Sequence, residues 1–227
     1  MRNLSILSVL FFFLFTANLL AQKHDYMWPL GLSPSYSEYR FFYNFNDPDN
    51  TVVRPDTMST GYYTSSYCDA TGNVLFYTNG IWILNKSGEL VENSMGLNPT
   101  VPDWQSYNYR GGQSGFFLAN PGDSTILYFI SLDFGLHPAQ LWPYLYVGQY
   151  LMVATIDLTA NNGAGKVIQK NQILLTGTLM APAACRHANG RDWWILVSDA
   201  DKNRHYRMLL SPGGGYSAPN PEYWYQA

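Results

Sequence analysis

The run Asp192-Trp193-Trp194-Ile195-Leu196-Val197-Ser198 restricts its own surroundings more than any other part of the chain. In an extended strand successive side chains point to opposite faces. Trp193, Ile195 and Val197 therefore project one way, and Trp194, Leu196 and Ser198 the other. Both faces are mainly apolar, whereas a sheet with one wet face alternates. Burying a tryptophan removes about 200 Å² from water, worth up to roughly 5 kcal/mol. Such a strand belongs between two other layers. Asn189-Gly190 precedes it, the pair that most easily supplies two positive φ angles in a tight hairpin.

The same grammar occurs twice earlier. Tyr67 to Gly80 turns at Asp69–Asn73 and continues through Val74 to Tyr77. Phe116 to Phe134 turns at Asn120–Ser124 and continues through Ile126 to Ile130. Each unit is a strand, a glycine-centred polar turn and a strand apolar on both faces. A third strand with a looser hairpin follows, turning at Lys86-Ser87-Gly88 in the first unit and at Asn161–Gly165 in the second; the third continues as Arg204–Tyr216. The marker glycines Gly72, Gly122 and Gly190 are unevenly spaced around a constant unit, the pattern of propeller blades with variable loops. No long segment shows a helical period, and 13 prolines with 19 glycines suit a turn-rich chain. The expectation is an all-β, β-propeller-like fold. Three units and a partial one at Tyr39–Asn46 make three to four antiparallel blades. Common closed rings hold more, and no closing strand is legible in the last residues, Ala218 to Ala227. The domain is therefore expected to be a truncated part of a larger ring, spanning residues 22–227.

Residues 1–21 read as a cleavable signal peptide: Arg2, an apolar stretch from Leu4 to Leu20, then small Ala21. A transmembrane anchor is the alternative, but Ser5, Ser8, Thr16 and Asn18 interrupt the stretch and no basic cluster follows. Export through the inner membrane is the expectation, with Gln22 as the new N-terminus. Of 13 basic residues only Arg2 leaves with the leader, so 12 face 16 acidic ones. No basic stripe is present to track a phosphate backbone, which argues against nucleic acid. Cys68 and Cys185 do not make a disulfide framework, and free thiols are favoured over a bridge, although export permits one.

Several residue sets invite chemistry. His187, Arg191 and Asp192 flank the Asn189-Gly190 turn; a solvated corner whose charges pair locally is favoured over a ligand site. His24, His137, His187 and His205 share no metal-ligand spacing, so no metal is expected. Gly111–Phe117 lacks the nucleophile-elbow pattern and reads as a glycine-rich lead-in to a strand. Asp199, Asp201 and Asn203 alternate as in a calcium loop, but Arg204 stands where the loop needs glycine and Leu210 where it needs glutamate. Asn46–Asn50 is an ordinary turn signal. Asp69–Phe76 is near an Asp-box turn but holds one residue too many and does not recur. No catalytic residue and no cofactor is assigned.

Tyr150–Val197, with "KNQILL" and "HANGRDWW", resembles a segment of secreted Bacteroidota proteins that carry an N-terminal β-propeller-like region and a C-terminal sorting domain for type IX secretion. Asp69–Ser94 resembles the first blade of the same proteins, and the likeness covers about Tyr62 to Pro212. It implies a secreted or cell-surface propeller. This chain shows no sorting domain, which would leave it periplasmic, and the resemblance brings no catalytic residues.

The functional expectation is a binding or structural module. Its partner would be a glycan or a protein at the loop rims, with no nucleic acid and no membrane span after leader removal. Asn98–Arg110 and Leu132–Tyr150 break the repeat and carry Trp104, Tyr107, Tyr109, Trp142, Tyr144 and Tyr146, rings that either stack on a partner or cap the blades. The alternative is a polysaccharide hydrolase or lyase on a propeller scaffold. That reading needs two carboxylates converging within roughly 5–10 Å, from a chain with only 13% charged residues.

Overall fold

The computed structural model describes residues 26–30, 39–47, 49, 52–55, 64–99, 115–136, 146–213 and 215–223. They are predominantly β, in antiparallel sheets, and no described sheet closes into a barrel. The first sheet holds β1 (Met27–Leu30), β2 (Tyr39–Asn44) and β3 (Val52–Pro55). The second holds β4 (Ser65–Cys68), β5 (Val74–Thr78) and β6 (Ile83–Asn85). The rest follow as one seven-stranded meander: β7 (Gly115–Ala119), β8 (Ile126–Leu136), β9 (Tyr146–Asp157), β10 (Lys166–Arg186), β11 (Trp193–Asp199), β12 (Arg204–Leu210) and β13 (Asn220–Tyr223).

The long strand β10 is the key to the arrangement. Its first part, Lys166 to Leu179, pairs with β9, and its second, Leu179 to Arg186, pairs with β11, so only Leu179 has partners on both sides, Gly148 and Asp199. Were β10 straight, the turn before β8 and the turn before β11 would lie at opposite ends of it, roughly 65 Å apart. Instead the Trp193 indole N–H donates to the Ala119 carbonyl at 3.0 Å. Tyr128 and Tyr216 meet edge to face at 5.8 Å. A Cβ on Gly122 would come within 2.8 Å of the Pro212 Cβ. β10 therefore folds back on itself near the register shift between Met180 and Ala183. Pro182 stands there, where a missing N–H costs the ladder nothing extra. The meander is thus one seven-stranded sheet bent at β10, whose arms, β7–β10 and β10–β13, approach each other as a third and a fourth sheet.

Four sheets stack in chain order, and each joint carries an aromatic pair. Phe42 of the first meets Tyr77 of the second at 5.1 Å. Tyr67 of the second meets Phe117 of the third at 6.4 Å. Tyr128 and Tyr216 join the third to the fourth. Met27, Phe42, Cys68, Val74, Tyr77 and Leu84 fill the first joint, and a larger cluster around Phe76, Phe129, Ile130, Leu151 and Ile195 fills the others. Hydroxyls tie the opening strands together: Thr64 Oγ1 donates to the Pro29 carbonyl at 2.6 Å and Ser66 Oγ to the Met27 carbonyl at 2.5 Å. β1 lies against β4 and β4 against β7.

The fold-back is open to a direct chemical test. Gly122→Cys with Pro212→Cys, in a Cys185→Ser background, should close an intramolecular disulfide, since a Cβ pair of a disulfide sits about 3.8 Å apart. Intact-mass analysis after thiol alkylation reads it out. An unbridged pair under mild oxidation would mean that β10 runs straight.

Several expectations change. The two-faced burial foreseen for the inner strands holds for β5 and for the central parts of β8 and β9. In β11 and β12 it does not: Ile195, Val197, Tyr206, Met208 and Leu210 are buried, but Trp194, Leu196, Arg207 and Leu209 on the opposite face are only half-buried, and Trp193 at the strand's end is half-buried too. Nothing among the described residues packs on that face as a fifth sheet. At the Asn189-Gly190 corner only Gly190 takes positive φ, +72°. The loop is wider than a two-residue hairpin, closing through His187 N–H to the Asp192 carbonyl at 2.8 Å. A last strand also exists where none was legible: β13 pairs with β12, Tyr206 opposite Pro221. Two prolines hide it, and both are tolerable because β13 is an edge. The turn at 160–165 is formally a short helix (Ala160–Gly163), but Asn161, Asn162, Gly163 and Gly165 all have positive φ, so it winds left-handed.

Candidate functional site

The two ends of the stack are built differently. One end carries the tight turns, and three share a device that sequence reading passed over: Asp-x-Thr. In Asp69-Ala70-Thr71, Asp123-Ser124-Thr125 and Asp157-Leu158-Thr159 the aspartate Oδ1 accepts from both the backbone N–H and the hydroxyl of the threonine two residues on. The distances are 2.8 and 2.7 Å, 2.9 and 2.6 Å, and 2.8 and 2.7 Å respectively. The side chain replaces a turn's backbone partner, which is why Asp suits the position. Desolvation pushes the Asp69 carboxyl up, but hydrogen bonds from Thr71 and Asn73 outweigh it and hold the pKa at about 2, below the usual 3.8. Asp123 and Asp157 are likewise held down, first by their threonine hydroxyls.

Because the folded pKa of Asp69 is depressed, its contribution is complete above the unfolded value and is lost as pH falls from about 4 through about 2. Asp69→Ala should cost about 1–2 kcal/mol at neutral pH, the worth of its hydrogen bonds. The difference from the parent chain should vanish below pH 2. Urea titrations at pH 7, 3.5 and 2 check this; a constant difference at all three would remove the carboxylate as the cause.

The corner at 187–192 belongs to this same end, and its charges pair locally. Arg191 Nε lies 2.7 Å from Asp192 Oδ1. Asn189 Nδ2 donates to Asp192 Oδ2 at 2.9 Å and the Asn189 backbone N–H to His187 Nδ1 at 3.0 Å. Hydrogen bonds from Arg191 and Asn189 hold the Asp192 carboxyl below its ordinary range. Behind the corner Arg186 stacks over Trp193 at 3.8 Å, and Arg207 over Trp194 at 4.9 Å. Asp69–Phe76 likewise forms the hairpin expected of it. Gly111–Phe117 leads into β7, which begins at Gly115; a Cβ there would lie 2.6 Å from the Ile130 carbonyl oxygen.

The opposite end gathers buried polar groups. Asn98, nearly inaccessible, donates from Nδ2 to the Gly80 carbonyl at 2.5 Å and accepts at Oδ1 from Ser131 Oγ at 3.1 Å, joining the second sheet to the third. Asn79 Oδ1 accepts from the Ile81 and Trp82 N–H groups, and Asp133 is fully buried on β8. At the bend of β10, Asp199 is 1% exposed. Its Oδ2 lies 3.2 Å from Lys202 Nζ and 3.9 Å from Arg204 Nε, with hydrogen-bonding geometry to neither. Asp201 instead accepts a hydrogen bond from Thr178. Asp199 and Asp201 therefore point to different partners and do not form the calcium loop that their spacing suggested. Among the described residues no three His, Cys, Asp or Glu side chains converge on a metal position.

The segments expected to carry the binding rings emerge from this end. Asn98 anchors the start of one; residues 100–114 and 137–145, with Trp104, Tyr107, Tyr109, Trp142 and Tyr144, lie outside the described residues, as do His24, His137 and the leader 1–21. Asn46 and Asp47 follow β2 in a turn, Asn44 Oδ1 accepting from the Asn46 N–H at 2.9 Å, while Pro48 and Asn50 lie outside the described residues. Neither Cys68 nor Cys185 is in a disulfide; the first is buried and the second exposed. No described helix is long and apolar enough to cross a membrane.

Asp192 and Asp199 sit at opposite ends of β11, about 23 Å apart along the strand, and each already faces a cation. Glycoside-cleaving carboxylates stand about 5–10 Å apart. The described residues form an all-β protein of antiparallel sheets, with tight turns at one end and buried polar side chains at the other. No protein-family model, curated protein or solved structure matches the chain.

Proposed function

We propose that the chain is a four-bladed section of an exported β-propeller that acts as a binding module, its ligand meeting the loop-bearing end. The opening strands of successive sheets lie side by side, as they do around a propeller axis, and the sheets stack in chain order. The observation that carries the functional reading is the contrast between the ends. Asp-x-Thr turns close one end tightly, while Asn98, Asp133 and Asp199 commit buried polar groups to positioning the other. Rigid scaffolds that hold long aromatic segments at one rim are built for recognition. A saccharide or a protein surface matches such rings, which present flat apolar area with polar edges.

Two experiments test this. Mature protein recovered from the exporting cell should begin at Gln22; an intact leader would refute export by cleavage. Binding on a glycan array and in a co-purification assay should then be lost when residues 103–109 or 140–144 are replaced by Gly-Ser linkers of equal length, with the unfolding midpoint unchanged. Binding that survives both replacements would place the site elsewhere.

A further inference from the structure

Two charged groups at the loop-bearing end lack the hydrogen bonds that buried polar atoms ordinarily make. The Asp199 side chain is completely buried, and neither of its oxygens has a hydrogen-bond partner among the described residues. Arg204 Nε, a buried donor, has none there either. The two stand 3.9 Å apart, Nε to Oδ2, too far for a direct hydrogen bond. Their placement is fixed from several sides. Asp199 and Arg204 are opposite each other in the β11–β12 register. The Arg204 guanidinium lies over the Tyr206 ring at 4.8 Å. β10 passes the carboxylate at Gly177, where a Cβ would come within 3.0 Å of Asp199 Oδ2 and 3.1 Å of Leu179 Cδ2. Glycine therefore keeps the space beside the carboxylate clear of a side chain. Thr178 and Asp201 next to it are hydrogen-bonded to each other. Lys202 Nζ lies 3.2 Å from Oδ2, and its side chain is half-exposed, so moving one flexible ammonium opens the carboxylate to solvent.

The charges decide what such a pair accepts. The carboxylate repels an anion, and Arg204 with Lys202 repels a cation. A hydroxyl suits both groups, because it accepts from the Arg204 Nε–H and donates to Asp199 Oδ2. Two hydrogen bonds of about 2.8 Å span the 3.9 Å gap when they meet near a right angle at the hydroxyl oxygen. Asp199 Oδ1 then takes a second, adjacent hydroxyl. Neighbouring hydroxyls on one neutral ring are what a sugar presents, whereas a serine, threonine or tyrosine on a protein surface presents one alone. We propose that Asp199 and Arg204 form a hydroxyl-binding subsite for a neutral saccharide, entered when Lys202 swings aside. This names the ligand class of the binding module proposed above and rests on that reading.

The test is saturation-transfer NMR of the purified chain with glucose, galactose, mannose, xylose and N-acetylglucosamine, and with glucuronate and glucosamine as charged counterparts. At least one neutral sugar should bind, and the two charged sugars should bind about tenfold more weakly than it does. Asp199→Leu combined with Arg204→Met leaves no unpaired charge and so keeps the fold. It should weaken the sugar about tenfold or more, the worth of hydrogen bonds to charged groups. Gly177→Ala changes no charge and should weaken the same sugar by crowding the carboxylate. Circular dichroism and the unfolding midpoint verify that each variant folds. Tighter binding of either charged sugar, or no transfer to any sugar, overturns the subsite. Sugar binding that survives both the double variant and Gly177→Ala, yet is lost when residues 103–109 or 140–144 are replaced, overturns the subsite and leaves the binding module standing. Binding lost in both variants but kept in the segment replacements supports the subsite and removes those segments as the ligand's partners.

Discussion

Gly165→Val is expected to lower the unfolding midpoint by roughly 10 °C, about twice the effect of Gly163→Val two residues away. Both glycines sit in the left-handed region, at φ +85° and +88°, so a β-branched residue suffers a similar backbone strain at either, about 1–2 kcal/mol. Their surroundings differ. A Cβ at 163 meets nothing within 4 Å, whereas at 165 it lies 2.7 and 2.9 Å from the Phe76 ring and 3.6 Å from Val91. Phe76 and Val91 are buried in the joint between the second and third sheets and cannot retreat without opening it, which adds about 1–3 kcal/mol. At about 2–4 °C per kcal/mol for a domain of this size, the sum gives the stated shift. Thermal unfolding of the two variants side by side measures it. Equal shifts would mean that the turn at 160–165 does not press on the second sheet.

Asp199→Ala should cost about 2–4 kcal/mol. The carboxylate is buried at the bend of β10, and removing it leaves Arg204, whose side chain is 18% exposed, without its counter-charge. Breaking a buried pair costs about 3–5 kcal/mol, and the half-exposed Lys202 moderates this because water takes over its solvation. Asp199→Leu combined with Arg204→Met should recover most of the loss, since an apolar pair of similar volume carries no unpaired charge. Denaturant titration of the parent, the single and the double variant decides. A neutral Asp199→Ala, or a double variant as unstable as the single, would deny the carboxylate its role in holding the bend.

Most of the hairpins were legible because they are local. Turns at 69–73, 86–88, 120–124 and 161–165 carry Asp, Asn and Gly at positions whose backbone demands them, and the strands between them announce themselves by composition. The reading failed where a side-chain partner or a neighbouring strand, not backbone preference, fixes the outcome. At Asn189-Gly190 local preference pointed to a two-residue hairpin, but Asp192 and Arg191 close a wider loop. β13 escaped because Pro219 and Pro221 look like coil until an edge strand is there to receive them. The functional end was legible only as two long aromatic segments. Asn98, Asp133 and Asp199, which position that end, bear no motif; each is an ordinary polar residue whose burial exists only after the sheets stack.

By itself the sequence determined that this protein is all β and where most of its hairpins turn, because those are matters of nearest-neighbour sterics and of how much apolar area a strand presents. Only the tertiary structure decided that β10 doubles back, that the sheets meet through aromatic pairs, and that the Trp194 face of β11 and β12 is only half-covered among the described residues. Those outcomes depend on contacts between residues far apart in the chain, such as Trp193 with Ala119, and no local pattern encodes which distant surface will arrive.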